Sequence, residues 1–463
     1  MIRRQGPSAK LSLAAFLVTI ALGFSGGAIA GPARQPAFIR VNSLGVGTYP
    51  TYAQARAKNG TLFLVYQTTT GKSPAPTGLA VRSISAAGKL GPENTVLKGW
   101  GTSVPGLVAL PDGSLEAVFG ATSPKPGQIS DLWSVTSNDG GKTWSKPAQV
   151  GAGEQGTYGA NIRAEQSGTT TDLSLSVAGG ITVQRGLGSG SPSASITTGA
   201  DNFAGDVDSA LDAASKQMVV SWDSNAHSGG NFIKGATGGP TAKLAGQTRN
   251  EVVISGRDSG PGVYAAFTTD GTHVKLARYG GGSVAVGSVS GITAKVLGTA
   301  TGLDGRIWVF WGDEGGGLAV TRSNKAVTKF ETIQKVNPQA FSLYRIGGDG
   351  RLGPLDLLVE MIPNSSGNVA GTFYTRVLPI LSDSTKVVAV KRKSGTVTGH
   401  ELTVTVSDAG DAVPGATVTV KGSRKKTDAK GRAELTLPVS MSGTIQITIA
   451  APGYQTLTAQ ASV

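Results

Sequence analysis

The sequence predicts an all-β fold, and composition supports this first. Glycine accounts for 68 of the 463 residues and proline for 22, while charged residues make up only 15%. An interior glycine costs an α-helix about 1 kcal/mol relative to alanine, so this content argues against a helical protein. The glycines follow no strict period of three, which excludes collagen. A hydrophobic content of 39% is sufficient for a folded core.

A repeated turn-and-strand pattern predicts which all-β fold this is. The clearest copies are TLFLVYQ after Asn59-Gly60, SLEAVFG after Asp112-Gly113 and RIWVFWG after Asp304-Gly305. Weaker copies follow turns that end at Gly168, Lys216, Gly260 and Gly350, so that successive copies lie 44 to 55 residues apart. This period, with about four strands in each copy, is typical of a β-propeller blade. Seven copies favour seven blades; six blades and a series of β-sandwiches are the alternatives.

Residues 1–30 have the pattern of a secretory signal peptide. Arg3, Arg4 and Lys10 precede or flank an apolar run, and Ala28-Ile29-Ala30 provides the small residues of a cleavage site. The alternative is an N-terminal membrane anchor, for which the run is short. We therefore expect a secreted or cell-surface monomer with no transmembrane segment in the mature chain. The absence of cysteine excludes disulfides and thiolate catalysis.

The composition changes near residue 384, which predicts a second domain. Residues 31–383 contain the propeller repeats, whereas residues 384–463 alternate polar and apolar residues in short strands. The stretch VPGATVTVKG…TDAKGRAELTLP…APGY resembles bacterial Ig-like and carboxypeptidase-regulatory-like modules, which implies a β-sandwich with a binding or spacer role. The last 80 residues carry ten Lys or Arg and five acids. Within them, the cluster of Arg424, Lys425 and Lys426 is our candidate for contacting an anionic polymer.

One motif in the propeller region resembles a known family. The stretch from Ser137 to Trp144 matches the S-x-D-x-G-x-T-W pattern of the Asp-box, the hairpin of bacterial neuraminidase-repeat (BNR) proteins. The resemblance implies a sialidase-like propeller, in which this box is a structural turn away from the central pocket. The residues that carry the motif are Ser137, Asp139, Gly141, Thr143 and Trp144.

The resemblance to sialidases implies an arginine cluster, a tyrosine nucleophile with a glutamate, and an acid/base aspartate. By local pattern, Thr48 stands at the position of the first arginine and Phe341 at that of the nucleophile, so both groups are missing. If the chain is an enzyme, its catalytic candidates are Tyr344, Glu360, Arg345 and Arg376.

No other chemistry has a clear motif. The three histidines, His227, His273 and His400, match no metal-ligand spacing, and the acidic stretch from Asp201 to Asp212 lacks the spacing of a calcium loop. We expect no metal, no cofactor and no nucleic-acid partner.

These observations favour a secreted or surface-bound binding or adhesion protein. We expect a degenerate, non-catalytic propeller that recognises glycans or anionic cell-envelope polymers. The alternative is an exo-acting glycoside hydrolase of sialidase type with rearranged catalytic residues.

Overall fold

The computed structural model of the chain describes residues 37–42, 52–69, 76–122, 129–152, 162–167, 169–177, 180–187, 194–197, 204–224, 231–236, 238–244, 253–313, 315, 317–336, 342–362, 371–391 and 397–463. The predicted all-β fold is confirmed. The described residues form nine four-stranded sheets, and their helical structure is a single 3₁₀ turn at Leu303–Gly305. The predicted signal peptide, residues 1–30, lies outside the described residues.

Seven of the nine sheets follow one another along the chain, and we number them as blades 1 to 7. The first strand, β1 (Ile39–Arg40), belongs to the last blade. Blade 1 contains β2 (Tyr52–Arg56), β3 (Leu62–Thr69), β4 (Pro76–Ile84) and β5 (Asn94–Lys98). Blade 2 contains β6 (Gly106–Ala109), β7 (Leu115–Thr122), β8 (Ile129–Ser137) and β9 (Ala148–Ala152). Blade 3 contains β10 (Ile162–Ser167), β11 (Thr170–Val177), β12 (Gly180–Gln184) and β13 (Ala194–Thr197).

The remaining four blades repeat this order. Blade 4 contains β14 (Ala204–Leu211), β15 (Met218–Ser224), β16 (Asn231–Gly235) and β17 (Ala242–Leu244). Blade 5 contains β18 (Ile254–Gly256), β19 (Val263–Thr268), β20 (Val274–Arg278) and β21 (Ser283–Gly287). Blade 6 contains β22 (Val296–Thr301), β23 (Ile307–Gly312), β24 (Leu318–Arg322) and β25 (Gln334–Val336). Blade 7 contains β26 (Ser342–Asp349), β27 (Leu355–Ile362), β28 (Gly371–Val377) and β1.

The turns that the sequence predicts connect the first and second strands of the blades. Gly60 and Gly113 have φ angles of 85° and 91°, a region that favours glycine because it has no Cβ. The Asp112 carboxylate accepts a hydrogen bond from the Ser114 amide at 2.9 Å. These local contacts stabilise the turn and place the following strand, such as β7, antiparallel to the first.

The core lies between neighbouring blades. Apolar side chains of β23 are fully buried, with Trp308 packed towards blade 7 and Trp311 packed towards blade 5. Alternation along a strand sends successive side chains to opposite faces, so one strand contributes to two interfaces. This arrangement explains the nearly continuous apolar runs in the second strands.

Blade 7 closes the ring against blade 1. The N-terminal strand β1 pairs antiparallel with β28, so the last sheet contains strands from both ends of the propeller. The first strands of consecutive blades lie beside one another from β2 to β26. Gln54 of β2 then donates to the Gly348 carbonyl of β26 at 2.8 Å, which joins the two ends of this series.

A buried arginine strengthens this closure. Arg56 of β2 donates to Asp349 at 2.5 Å and to Asp356 at 2.6 Å, both in blade 7. Asp356 also accepts hydrogen bonds from Arg376 at 2.7 Å and from the Tyr374 hydroxyl at 2.8 Å. Charged groups removed from water are tolerated only when they are paired in this way, so the network depends on both blades being in place.

The C-terminal residues form a two-sheet sandwich. One sheet contains β29 (Ser382–Lys391), β30 (Val397–Asp408), β31 (Asp411–Ala412) and β34 (Arg432–Leu437). The other contains β32 (Thr417–Val420), β33 (Ser423–Lys426), β35 (Thr444–Ala450) and β36 (Leu457–Ser462). Alternating residues of both sheets form one apolar core, and β29 begins just before the predicted boundary at residue 384.

Charged side chains fasten the sandwich to blade 6. Asp408 is fully buried and accepts hydrogen bonds from Arg322 at 2.5 Å and from the Tyr454 hydroxyl at 2.8 Å, and it forms an ion pair with Arg306 at 3.3 Å. The Arg322 guanidinium lies between the rings of Trp308 and Tyr454, at 5.3 and 5.4 Å from their centres. The sandwich is therefore anchored to the propeller.

Replacing Arg56 with Met should destabilise the protein by about 3 kcal/mol, because two buried carboxylates lose a partner. Chemical denaturation of purified protein measures this difference. Lys58→Met, an exposed change near the same turn, is the control and should cost less than about 0.5 kcal/mol. Equal stability of the two variants would contradict a role of Arg56 in ring closure.

Asp408→Asn should also cost about 3 kcal/mol, since it leaves Arg322 and Arg306 without the buried negative charge that they share. The exposed pair of Arg432 and Glu434 provides the comparison, and Glu434→Gln should change stability by less than about 1 kcal/mol. Thermal unfolding followed by circular dichroism tests both. An unchanged midpoint for Asp408→Asn would refute the ionic anchor.

Candidate functional site

The first strands of the blades surround a central cavity of about 460 Å³. A cavity of this volume is in the range that holds small ligands. Among the residues that the structure describes, six cationic and three acidic side chains line it: Arg56, Arg163, Lys216, Arg257, Arg345 and Arg351, with Glu165, Asp208 and Asp349. This described part of the wall is polar and has an excess of positive charge.

Blades 3 and 4 are joined at the cavity by a buried ion pair. Arg163 of β10 donates from Nε to Asp208 of β14 at 3.1 Å. The second oxygen of Asp208 accepts the backbone N–H of Ile254 in blade 5 at 2.8 Å. These contacts hold three consecutive first strands in register around the cavity.

Glu165 lies two residues after Arg163 on the same strand and lines the same cavity. Its side chain is surrounded by protein, although part of it remains open to the cavity. This burial and the nearby charge of Asp208 raise the pKa of Glu165 to about 8, against the opposing effect of Arg351 and Arg163. At neutral pH the carboxyl group is therefore mostly protonated.

Arg351 follows β26. Among the arginines of the cavity wall that form a described ion pair, it has the most exposed side chain. It contacts Asp349 at 2.7 Å, yet 48% of its side chain is exposed. The charge of Asp349 raises the pKa of Arg351 above its usual value, and Glu165 and Asp258 act in the same direction. Arg351 therefore stays cationic and faces the lumen near acids from blades 3 and 5.

Arg345 lies on the wall of the same cavity, in blade 7. Its guanidinium lies 5.3 Å from the centre of the Tyr52 ring and 3.7 Å from the carboxylate of Glu360. Gly347 is required beside it, because a Cβ there would lie 2.4 Å from the Tyr52 hydroxyl. Tyr52 and Arg345 are thus packed in fixed positions.

The four catalytic candidates from the sequence are not brought together at the cavity. Of these residues, only Arg345 lines it. Tyr344 falls at an irregularity in the pairing of β26 with β27, and Glu360 is fully buried in β27. Arg376 binds Asp356 and the Ala86 carbonyl at the junction of blades 7 and 1. Thr48 and Phe341 lie outside the described residues.

The predicted Asp-box forms a closely hydrogen-bonded turn after β8. Asp139 accepts the Lys142 and Thr143 amides at 3.0 Å and the Thr143 hydroxyl at 2.6 Å. Ser137 accepts the Gly141 amide at 2.9 Å, and Trp144 donates to the Gly141 carbonyl. The hydrogen bonds to Thr143 lower the pKa of Asp139 to about 2. None of these residues lines the cavity, so the Asp-box stabilises a turn and does not contribute to the cavity wall.

The other residues considered in the sequence analysis form ion pairs or hydrogen bonds within the fold. Among the acids between residues 201 and 212, Asp208 pairs with Arg163 and Asp212 accepts the Ala214 amide in a turn; Asp201 lies outside the described residues. In the described part of the chain, no group of three acids or histidines is arranged to hold a metal ion. His273 pairs with Asp270 on the surface, at 2.6 Å.

The basic cluster lies on the C-terminal sandwich. Arg424, Lys425 and Lys426 are all exposed on β33, the edge strand of its sheet. Within the residues that the structure describes, no helix is long and apolar enough to cross a membrane.

Sequence reasoning missed most of the cavity wall. Arg163 and Glu165 stand at alternate positions of β10, and Arg351 follows an Asp-Gly turn. Charged residues in the first strand of a repeat are the available signal, because that strand lines the axis of a propeller. Their pairing across blades 3, 4, 5 and 7 follows only from the closed ring.

Comparison with known proteins identifies no family. No protein-family model matches the chain, and no curated protein matches it. The predicted membership of the sialidase or Ig-like families therefore has no support from sequence comparison.

Solved structures with similar folds share little sequence with this chain. An α-L-arabinanase of Penicillium chrysogenum in complex with arabinobiose is 12% identical, with 74% of this chain and 98% of that chain covered and a TM-score of 0.45. YCF48 bound to D1 peptide is 11% identical over 76% of this chain and 97% of that one, with a TM-score of 0.41. An exo-β-1,3-galactanase of Phanerochaete chrysosporium with β-1,3-galactotriose is 11% identical over 92% and 99%, with a TM-score of 0.38. The similarity is one of fold alone.

Proposed function

We propose that this protein is a secreted or cell-surface binding protein whose central cavity receives an anionic saccharide. The ligand is a glycan or cell-envelope polymer that carries carboxylate or phosphate groups. The observation that carries this proposal is the cavity itself, whose wall, as far as the structure describes it, combines six cationic side chains with three acidic ones.

The accessible cations support an anionic ligand. Guanidinium groups donate paired hydrogen bonds that match the geometry of carboxylates and phosphates. Arg351 remains about half exposed after pairing with Asp349, and Lys216 on the same wall is exposed. Protonation of Glu165 increases the positive excess of the described wall, because it removes one of its negative charges.

The size and chemistry of the cavity favour a saccharide unit over an apolar ligand. Its volume of about 460 Å³ accommodates one or two sugar rings. Gln166, which is exposed, adds an amide group to the wall, and Ser255 adds a hydroxyl that also contacts Thr299. The aromatic residues Trp222, Trp308 and Trp311, which could have stacked on sugars, are buried in the blades. Recognition therefore rests on charge and hydrogen bonds.

Binding fits the geometry better than catalysis of the sialidase type. That mechanism needs a tyrosine and a glutamate at the pocket, whereas Tyr344 and Glu360 do not line the cavity. One observation favours the alternative, an exo-acting glycoside hydrolase: Glu165 and Asp208 are neighbouring acids, of which Glu165 has a raised pKa. Both oxygens of Asp208, however, already accept hydrogen bonds from protein groups.

Sugar release from a panel of fluorogenic glycosides, sialosides included, distinguishes the two functions. We expect no turnover by folded, purified protein. Turnover that is lost in Glu165→Gln would establish the hydrolase instead.

The exposed cluster on β33 provides a second contact for a long polymer. Arg424, Lys425 and Lys426 lie on the sandwich, which the Asp408 network anchors to blade 6. We propose that this cluster adds electrostatic attachment to an anionic cell-envelope polymer. Binding through it weakens as salt concentration rises.

Arg351→Gln and Lys216→Gln should each weaken binding of digalacturonate about tenfold, because each removes one charged hydrogen bond of about 1.5 kcal/mol. The fold should tolerate the loss of Arg351, since Asp349 keeps Arg56 as a partner. Isothermal titration calorimetry measures the affinity, with cellobiose as the neutral probe and a glycerol phosphate oligomer as the phosphate probe.

Lys146→Gln is the matched control, because Lys146 is an exposed lysine of blade 2 outside the cavity. A variant with glutamine at residues 424 to 426 separates the sandwich from the cavity. Wild-type affinity in both cavity variants, with loss only in the β33 variant, would contradict binding in the cavity.

A further inference from the structure

Glu165 is the acid of the cavity whose contact with the ligand the proposed function does not yet describe. It lies on the first strand of blade 3 and lines the cavity, where a negative charge opposes an anionic ligand. A binding site for anions gains nothing from an ionised carboxylate at this position. The surroundings of Glu165 indicate in which form it meets a ligand.

The acids around Glu165 disfavour its ionised form. Asp172 stands directly opposite Glu165 in the antiparallel pairing of β10 with β11, so the two side chains share one face of the sheet. Like charges at such paired positions repel each other. Asp208 adds a further negative charge from β14 of the next blade.

The arginines near Glu165 form ion pairs with other acids. Arg163 lies 3.1 Å from Asp208, and Arg351 lies 2.7 Å from Asp349. Asp172 has its own partners, Arg185 at 3.6 Å and the Gly186 amide at 2.9 Å. These arginines therefore form ion pairs with Asp208, Asp349 and Asp172.

We propose that Glu165 meets the anionic ligand as the neutral acid, so that binding in the cavity takes up a proton. This inference rests on the proposed function and names the residue that makes binding sensitive to pH. A protonated carboxyl group donates a hydrogen bond to a carboxylate, a phosphate or a sugar hydroxyl. An ionised Glu165 accepts only and repels the ligand.

The sign of the pH effect follows from the site. The pKa of Glu165 is raised to about 8, so the neutral acid predominates at pH 7 and is lost as the pH rises to 9. Arginine and lysine ordinarily titrate above about pH 10, which is outside this interval. Loss of affinity between pH 7 and 9 therefore reports Glu165.

The experiment is calorimetric titration of the full chain with digalacturonate at pH 7, 8 and 9. Wild-type affinity should fall about tenfold between pH 7 and pH 9. At pH 8, titrations in two buffers of different ionisation enthalpy should show uptake of about half a proton per ligand bound. Glu165→Gln keeps a neutral donor that does not titrate, so its affinity should no longer fall between pH 7 and pH 9 and its binding should take up no proton.

Glu331→Gln is the matched control. Burial raises the pKa of Glu331 to about 8 as well, but this residue lies near the sandwich and accepts the Ile380 amide. This variant should retain the pH dependence of binding. Wild-type affinity that is constant from pH 7 to 9, or an equal fall in Glu165→Gln, would overturn the inference and leave the proposed function standing. If neither digalacturonate nor the glycerol phosphate oligomer binds at pH 6, both the inference about Glu165 and the proposed function are wrong.

Discussion

Closure of the ring between blades 7 and 1 is the constraint on which the cavity depends. If the ring were open, the first strands of the blades would not surround a common axis. The chain has no cysteine, so closure rests on strand pairing and on buried charge. β1 supplies the fourth strand of blade 7, and Arg56 joins Asp349 and Asp356 across the junction. Asp349 also binds Arg351 on the cavity wall, so the closing network and the proposed binding site share a residue.

The same logic of paired charge extends around the axis. Arg163 and Asp208 join blades 3 and 4, and the Ile254 amide adds blade 5. Most charges on the wall are thus needed for the fold, which keeps them in place before any ligand arrives. Arg351, Lys216 and Glu165 line the cavity and keep part of their side chains exposed to it. These three residues determine what the cavity binds in our account.

Much of the fold could be predicted from the sequence, because its signals are local. The Gly turns and the runs that follow them, such as RIWVFWG, indicate blades without any knowledge of distant contacts. The role of β1 in blade 7 could not be predicted, since a two-residue strand has no pattern of its own. The candidate site was harder to predict than the fold, because its contacts join residues that are far apart in the sequence. The resemblance to sialidases points to Tyr344, Glu360 and Arg376, whereas Glu165 and Arg351 come close to each other only after the ring closes.

A crystal structure of the protein with digalacturonate tests the central claim most directly. We predict the sugar in the central cavity, with one carboxylate within hydrogen-bond distance of the Arg351 guanidinium and an oxygen of the ligand beside Glu165. Ligand bound on β33 at Arg424, Lys425 and Lys426, with the cavity filled only by water, would contradict the account and place recognition on the sandwich.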